Sequence, residues 1–177
     1  MFLKYRKIDS ETFETVLRRI HDGVFSGRHA HEGPFRNADW EIFLLPYEMN
    51  MEQDTFGAIS QTAQRLRDNE LIIKDFDVHP PELPIAVPWD WQVLEEIQGA
   101  TDLALVESHG FGRSGCWGLV WTKDDFSCLG GEESFMNTVA ELLGGRDKIR
   151  ERFFNFVTEE WQIPEEFKRK ILQMVGW

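Results

Sequence analysis

Hydrophobic residues near the start of the chain recur with the period of a helix, and this periodicity ends after Val24. After Asp9, apolar residues recur at intervals of three and four, which is typical of a helix with one apolar face. They are Phe13, Val16, Leu17, Ile20 and Val24. A short mixed stretch, residues 2–7, predicts a first strand before this helix. Residues 26–39 are rich in glycine and polar caps and predict a long loop, a feature that is often functional or mobile.

The middle of the chain predicts two strands, a helix and a proline-rich crossing. The apolar run 40–45 predicts a buried strand, and Asn50 is placed to cap a helix with a periodic inner face. That face comprises Phe56, Ile59, Ala63 and Leu66. Residues 70–78 predict another strand. Residues 79–88 hold four prolines, and because proline lacks an amide donor they predict an extended crossing, neither a helix nor a central strand.

The best-defined part of the predicted fold is an antiparallel meander near residues 101–129. Residues 101–107 and 116–122 have the composition of two strands joined by a glycine-rich loop. A third short strand, 126–129, follows a turn. The meander places three consecutive strands side by side in the central sheet.

The remaining elements are helices. A short helix over 89–98 precedes the meander, and Gly99 is placed to end it. After the meander, Glu132 to Leu143 and Asp147 to Val157 each carry one apolar face. A further helix starts near Pro164, because proline is tolerated in a first helical turn. The last third of the chain is therefore predicted to be helical.

Strands and helices mix in this order without a regular βαβ alternation, which favours an α+β fold. We expect a single domain, 1–177, with a mixed or mainly antiparallel central sheet. A chain of 177 residues, with 42% hydrophobic and 13% aromatic content, has enough material for a core. The proline-rich crossing could instead link two small domains, but each would then hold only about 80–90 residues, so one domain is favoured.

The formal net charge of −12 excludes several classes of partner. Nucleic acids and anionic membrane surfaces need a basic face, so neither is expected. A basic protein partner remains compatible with this charge. The N-terminal sequence lacks a signal-peptide pattern and no apolar run reaches the length of a membrane span, so we expect a cytoplasmic protein. The two cysteines, Cys116 and Cys128, are expected to be buried free thiols.

Two motifs resemble catalytic signatures but lack the necessary context. The stretch Gly110 to Gly115 has the glycine spacing of a dinucleotide fingerprint, which requires a helix to follow, whereas a strand-like segment follows here. We interpret it as a hairpin loop with Arg113 at its tip. Ser114 has Gly112 two residues before it, but a cysteine instead of a glycine two residues after it, so the nucleophile-elbow pattern is incomplete.

Histidine and cysteine offer two further candidate sites. His29 and His31 could chelate a metal in an extended segment, but the spacing supplies no third ligand beyond distant candidates such as His79 or His109. We interpret this pair as solvated loop histidines. Cys128 with His109 and an acid could form a thiol nucleophile, but its place on a predicted strand favours an inert core thiol.

Three tryptophans have contrasting settings. Trp117 and Trp121 share one face of a predicted strand with Leu119, which indicates core packing. Trp89 stands beside Asp90 at the start of a helix, after the proline-rich crossing. That combination of an aromatic side chain with an acid is typical of an interface hot spot.

Charge is distributed unevenly along the chain. From Asp68 to Glu133 there are fourteen acidic residues and three basic ones, whereas the remaining 111 residues carry 17 acids and 16 bases. Uncompensated like charge lowers stability. If these acids converge, docking onto a basic surface is the use that would offset that cost. The alternative is that they scatter over different faces.

We expect nine residues of this acidic stretch to contact a partner. They are Asp75, Asp77, Glu82, Trp89, Asp90, Glu107, Arg113, Asp124 and Asp125. The size, the charge and the lack of a catalytic motif favour a non-enzymatic inhibitor, such as a bacterial immunity protein that neutralises a basic toxin. The alternatives are a hydrolase-like, carboxylate-based enzyme without a local motif and a general protein-interaction module. We predict no cofactor and no metal.

Overall fold

A computed structural model describes residues 5–46, 51–76, 82–100, 107–159 and 161–177. Seven strands form one sheet, and each neighbouring pair is antiparallel. They are β1 (Arg6–Lys7), β2 (Glu41–Pro46), β3 (Glu70–Asp75), β4 (Ile85–Pro88), β5 (Ser108–Phe111), β6 (Trp117–Trp121) and β7 (Phe126–Gly131). The predicted α+β class with an antiparallel sheet is confirmed.

Helices form the rest of the regular structure. The first is a continuous helical segment made of α1 (Ser10–Thr12), a π-helical stretch (Phe13–Leu17) and α2 (Arg18–Val24). Its start is capped by Asp9, whose carboxylate accepts from the Thr12 N–H. The other helices are α3 (Gln53–Arg65), α4 (Trp91–Ala100), α5 (Glu133–Leu142), α6 (Arg146–Glu159) and α7 (Glu165–Met174). The helical C-terminal third is confirmed.

The strand order across the sheet is β1-β4-β3-β5-β6-β7-β2. β5, β6 and β7 are consecutive neighbours, which confirms the predicted meander. The first described strand of the meander, however, includes residues that were predicted to belong to the glycine-rich loop. It starts at Ser108, and residues 101–106 lie outside the described part of the chain. Gly110 therefore lies inside a strand and not in a loop. A Cβ at this position would approach the Trp121 ring to 2.7 Å, so the glycine permits the ring to pack closely against the strand.

The prediction that the proline-rich segment contains no central strand was wrong. Its last part forms β4, which lies between β1 and β3. Pro84 precedes this strand and Pro88 ends it, so the prolines leave the amides of Ala86 and Val87 free to pair.

Two helix boundaries also differ from the sequence-based prediction. α4 continues through Gly99 to Ala100 instead of ending there. α3 has Glu52 at its N-cap position, and the predicted cap, Asn50, lies outside the described residues.

Two hydrophobic cores lie on the two faces of the sheet. The first core joins α3, α4 and α5 to strand residues such as Leu71 and Val87. The second core joins the first helical segment, α6 and α7 to strand residues such as Ile72 and Phe111. Neighbouring residues of one strand thus enter different cores, because side chains alternate across a strand.

The meander tryptophans occupy the first core, as predicted. Trp117, Leu119 and Trp121 are buried together there. The Trp117 ring stacks on Phe135 of α5 with centroids 5.3 Å apart and planes 2° from parallel. This contact fixes α5 against the meander.

The two edges of the sheet are protected in different ways. β1 is only two residues long and basic, which discourages pairing with another chain. The β2 edge is covered by α6, whose Ile149 enters the first core and whose Phe153 enters the second. Arg146 at the start of this helix forms an ion pair with Glu41 at the start of β2. Among the described residues, no helix is long and apolar enough to cross a membrane.

Candidate functional site

The long loop after α2 closes on itself at a hydrogen-bonded neck. Phe25 and Phe35 form an isolated antiparallel bridge. The Ser26 N–H donates to the Pro34 carbonyl at 2.8 Å, and the Ser26 hydroxyl donates to the Gly33 carbonyl at 2.8 Å. These contacts join residues of the loop to one another. They therefore hold the neck closed independently of the contact between the loop tip and the sheet.

The tip of this loop docks on Glu107, at the start of β5. The Ala30 N–H donates to Glu107 Oε1 at 3.2 Å, and His29 Nδ1 lies 3.4 Å from Glu107 Oε2. The His29 ring also meets Phe76 edge-on and lies parallel to the His31 ring at 5.8 Å. A largely buried carboxylate therefore holds His29 and the loop tip against the sheet.

A second polar chain links α2 to the centre of the sheet. Asp22 Oδ1 lies 3.1 Å from His21 Nδ1, and His21 Nε2 lies 3.0 Å from His109 Nδ1. Solvent exposure falls along this series of hydrogen-bonded side chains, from 56% for the Asp22 side chain to 1% for His109. Four of the five histidines thus lie under or in this loop, and the fifth, His79, is outside the described residues.

His109 is enclosed by aromatic rings. Phe25 stacks on it with centroids 4.1 Å apart, and Phe76 stacks on it at 4.8 Å. Gly118 makes room for this arrangement, because a Cβ there would contact Val24 at 2.5 Å and Phe25 at 2.9 Å. His109 Nε2 has no hydrogen-bond partner among the described residues.

Burial shifts the pKa values of the titratable groups around His109. Desolvation, together with the neighbouring His21 and Lys74 charges, lowers the pKa of His109 to about 2. Desolvation likewise lowers the pKa of His21 and of Lys74. For Glu107 the same cause raises the pKa, against the opposing effect of the Ala30 N–H. The cluster therefore favours neutral histidines at neutral pH.

The sequence favoured solvated loop histidines over a metal site, and a core thiol over a thiol nucleophile. Among the described residues, no group of three or more histidine, cysteine or acidic side chains is arranged to hold a metal ion. Cys128 is fully buried, which confirms its predicted core position, and burial raises the pKa of its thiol. Cys116 is a free thiol but only half-buried, so the expectation that both cysteines are buried was wrong for this residue. Burial also raises the pKa of the Cys116 thiol.

The glycine-rich turn serves a buried carboxylate at the other end of the sheet. Asp68 is 1% exposed and accepts hydrogen bonds from the Ser114 N–H at 2.8 Å, the Ser114 hydroxyl at 2.7 Å and Trp117 Nε1 at 2.9 Å. A Cβ at Gly112 would overlap this carboxylate. The turn is thus a hairpin loop, as interpreted from the sequence, and its glycine accommodates Asp68.

The register of the sheet determines which expected contact residues are close together. Asp75 lies opposite Ser108 at the start of β5, and Ser108 lies opposite Trp121 at the end of β6. The turn after Trp121 carries Asp124 and Asp125. With strands about 4.8 Å apart, Asp75 and this turn are roughly 10–15 Å from one another along the same end of the sheet.

Glu82 belongs to the same end, because it precedes β4, whose first residue pairs with Ile73 of β3. We call this end, with its four carboxylates, the acidic end. It consists of Asp75, Glu82, Asp124 and Asp125. Glu107 lies behind it, with its side chain only 10% exposed, and Asp77 lies outside the described residues.

The other three expected contact residues lie at the opposite end. Trp89 and Asp90 follow β4, and Arg113 is in the β5–β6 turn. At about 3.3 Å per residue, the strands separate the two ends by roughly 15 Å. Trp89 is also occupied inside the molecule, because its Nε1 donates to the Asp68 carbonyl at 2.7 Å and its ring packs on Trp117.

Two surface depressions of 410 and 440 Å³ lie on the outer side of the loop. They meet at Ala38, Ile42 and Met174, and neither is lined by Glu107 or His109. Comparisons of the chain with known protein families, curated proteins and solved structures found no match. Functional inference therefore depends on the geometry of the acidic end and of the histidine cluster.

Proposed function

We propose that this chain is a non-enzymatic inhibitor that docks a basic protein through the acidic end, in the manner of an immunity protein on a basic toxin. The observation that carries this proposal is the gathering of Asp75, Glu82, Asp124 and Asp125 at one end of the sheet. A concentrated negative surface raises the association rate of a basic partner and disfavours acidic competitors.

The turn within the acidic end is held rigidly. Trp161 Nε1 donates to the Asp124 carbonyl at 2.7 Å, and the Thr122 hydroxyl donates to the Phe126 carbonyl at 2.7 Å. Asp125 has a positive φ of 61°, which an aspartate tolerates better than most residues. A preorganised turn loses little conformational entropy on binding, which supports tight association.

The state of the reactive groups also supports a binding role. The Cys128 thiol is buried with a raised pKa, and His109 is buried with a lowered pKa. A thiol nucleophile requires the thiolate, and a histidine base requires access to its substrate. Neither group meets its requirement in this fold.

Charge neutralisation tests the proposal. The acidic-end variant carries Asp75→Asn, Glu82→Gln, Asp124→Asn and Asp125→Asn. A control variant with the same change in net charge carries Glu95→Gln, Glu96→Gln, Glu132→Gln and Glu133→Gln. Each is titrated calorimetrically against the basic proteins encoded beside this chain, expressed singly. We expect one of them to bind the wild type with a Kd that weakens as salt increases.

The two variants should then separate. The acidic-end variant is expected to lose at least tenfold in affinity for that partner, whereas the control variant should lose less than threefold. Equal losses of affinity in both variants would show that the effect depends on net charge alone, and this would contradict a localised docking surface. Unchanged affinity in the acidic-end variant would also contradict it.

One observation favours a carboxylate-based enzyme as a second candidate. Glu107, with a raised pKa, lies 3.4 Å from the ring of His29, whose side chain is 44% exposed. Perturbed carboxylates beside an accessible histidine occur in catalytic sites. This candidate predicts turnover of at least one ester, phosphoester or peptide substrate that is abolished by Glu107→Gln. A wild type without turnover on such a panel would speak against it.

A further inference from the structure

His21 and His109, which we call the histidine pair, connect α2 to the central strand β5. Their ring nitrogens are 3.0 Å apart, and Asp22 lies 3.1 Å from the outer nitrogen of His21. Phe25, which follows α2, stacks on the inner ring. The pair therefore lies where the first helical segment and the neck of the loop meet the second face of the sheet.

The hydrogen bonds assign a single proton pattern to the neutral pair. Because the Asp22 carboxylate only accepts, His21 must donate from Nδ1, which leaves Nε2 as an acceptor. His109 then donates from Nδ1 to that acceptor. Its own Nε2 is consequently an unprotonated nitrogen in a buried, aromatic environment, where it has no partner among the described residues.

An added proton disrupts this pattern wherever it goes. If His109 is the cation, or if His21 is the cation and His109 changes tautomer, an N–H donor is created at His109 Nε2 without an acceptor. If both rings are protonated, two donors face each other across 3.0 Å. An unpaired buried donor or charge costs free energy that the exposed, open form does not incur.

The surrounding charges do not neutralise such a cation fully. Lys74 of β3 lies opposite the inner ring in the ladder, and Arg18 lies in the same helical segment, so both repel a proton. Asp22 from α2 attracts one, and Glu107 lies immediately before β5, two residues from His109. On the other side, β6 presents the apolar Val120. The helix must move away from the sheet to hydrate a protonated pair.

The first core is separate from this contact. The first core lies on the opposite face of the sheet, and none of its buried residues is a histidine. The loop, in contrast, depends on the pair through Phe25, which anchors the neck. Opening would therefore involve α2 and the loop and leave the meander paired.

We propose that the histidine pair is an acid-sensitive switch that releases α2 and residues 25–36 from the sheet as the pH falls below about 6.5, while β6 and β7 stay folded. The release exposes the apolar second face around Phe111. This inference does not depend on the proposed partner, because it concerns the isolated chain.

Hydrogen exchange followed by mass spectrometry tests the switch on the full chain between pH 7.5 and pH 5.0. After correction for intrinsic exchange rates, the opening constant of residues 18–36 is expected to rise with falling pH, approaching tenfold per pH unit for each histidine that takes up a proton. The amides of residues 117–131 should keep their protection over the same range.

Variants assign the effect to the pair. His21→Gln should lower the slope of the opening constant against pH by about one, and the double variant His21→Gln/His109→Gln should lower it further. His29→Gln, at the exposed loop tip, is the control and should retain the wild-type slope. His21 is near the surface, so its variant remains informative if the double variant fails to fold.

Two results would overturn the switch. One is a wild-type slope that persists in His21→Gln, because the pair would then not be the proton acceptor. The other is loss of protection in residues 117–131 in step with residues 18–36, because acid would then unfold the whole domain. An opening constant for residues 18–36 that is independent of pH would contradict it equally.

Discussion

At the scale of single residues, Asp68 has the most demanding environment. Its carboxylate is 1% exposed, and three donors from the β5–β6 turn and Trp117 satisfy it. Charge-assisted hydrogen bonds of this kind offset the desolvation of a buried carboxylate. The residue therefore ties the end of α3 to the meander.

Asp68→Ala should destabilise the protein strongly, because it leaves the buried Trp117 Nε1–H and two donors of Ser114 without their acceptor. We expect a loss of about 3 kcal/mol or more in the free energy of unfolding, measured by urea denaturation. Asp90→Ala removes an exposed acceptor for the Gln92 N–H and should cost about 1 kcal/mol or less. Equal losses in the two variants would contradict the structural role of Asp68.

Alanine substitutions at two glycines should change the stability of the protein in opposite directions. Gly118→Ala introduces a methyl group against Val24 and Phe25 and should cost about 1–3 kcal/mol in stability. Gly57→Ala lies in the exposed face of α3 with open space around it, so it should stabilise by about 0.5–1 kcal/mol. Thermal unfolding of both variants distinguishes packing from backbone entropy, and stabilisation by Gly118→Ala would contradict the packing.

Stability should fall as the pH drops below about 6.5. Because the folded pKa of His109 is about 2 and its ordinary value is 6.5, the unfolded chain binds more protons between these values. The resulting loss approaches about 1.4 kcal/mol per pH unit for each such histidine. Glu107 acts in the opposite sense, because its raised pKa favours the folded state in acid. Urea unfolding at several pH values should show a net loss that His21→Gln reduces.

Some of these residues could be predicted from the sequence. Trp117, Trp121 and Cys128 were placed correctly by strand alternation alone. His21 was not singled out, although it lies four residues after Leu17 on the apolar side of the helical pattern. Its partner is 88 residues away, and periodicity within one element does not reveal a contact across that distance.

At the scale of elements, sequence patterns predicted most helices and strands but not β4 or the start of β5. Proline and glycine were taken as signs of irregular structure. In the fold, Pro84 and Pro88 flank a strand, and Gly110 admits the ring of Trp121. Both exceptions depend on neighbours from elsewhere in the chain, so local propensity did not indicate them.

The cover that α6 forms over the β2 edge leads to a prediction at this scale. Phe153→Ala should cost about 3–5 kcal/mol, because the side chain is fully buried in the second core. Loosening the helix also uncovers the β2 edge, so self-association should increase in size-exclusion chromatography. Arg150→Ala, in the same helix, serves as the control and should change stability by less than about 1 kcal/mol. A monomeric, stable Phe153→Ala variant would contradict this role of α6.

At the scale of the whole molecule, the sequence located the excess of acids between Asp68 and Glu133 but not their arrangement. That arrangement depends on the register of the strands in the sheet. The sequence indicated the pairing of the strands only in part. Of the expected contact residues, four lie at the acidic end and three at the opposite end. Glu107 was expected at the surface and is instead buried behind the loop tip, because β5 begins just after it and the Ala30 N–H docks on its carboxylate.

The docking of a basic partner at the acidic end is tested most directly by hydrogen exchange of the complex against the free chain. Binding should slow exchange at residues 75–76, 82–84 and 122–125, which surround the acidic end. Exchange at residues 89–92 and 113–116, at the opposite end, should stay unchanged. Protection confined to the opposite end, or absent from the acidic end, would contradict the proposed docking surface.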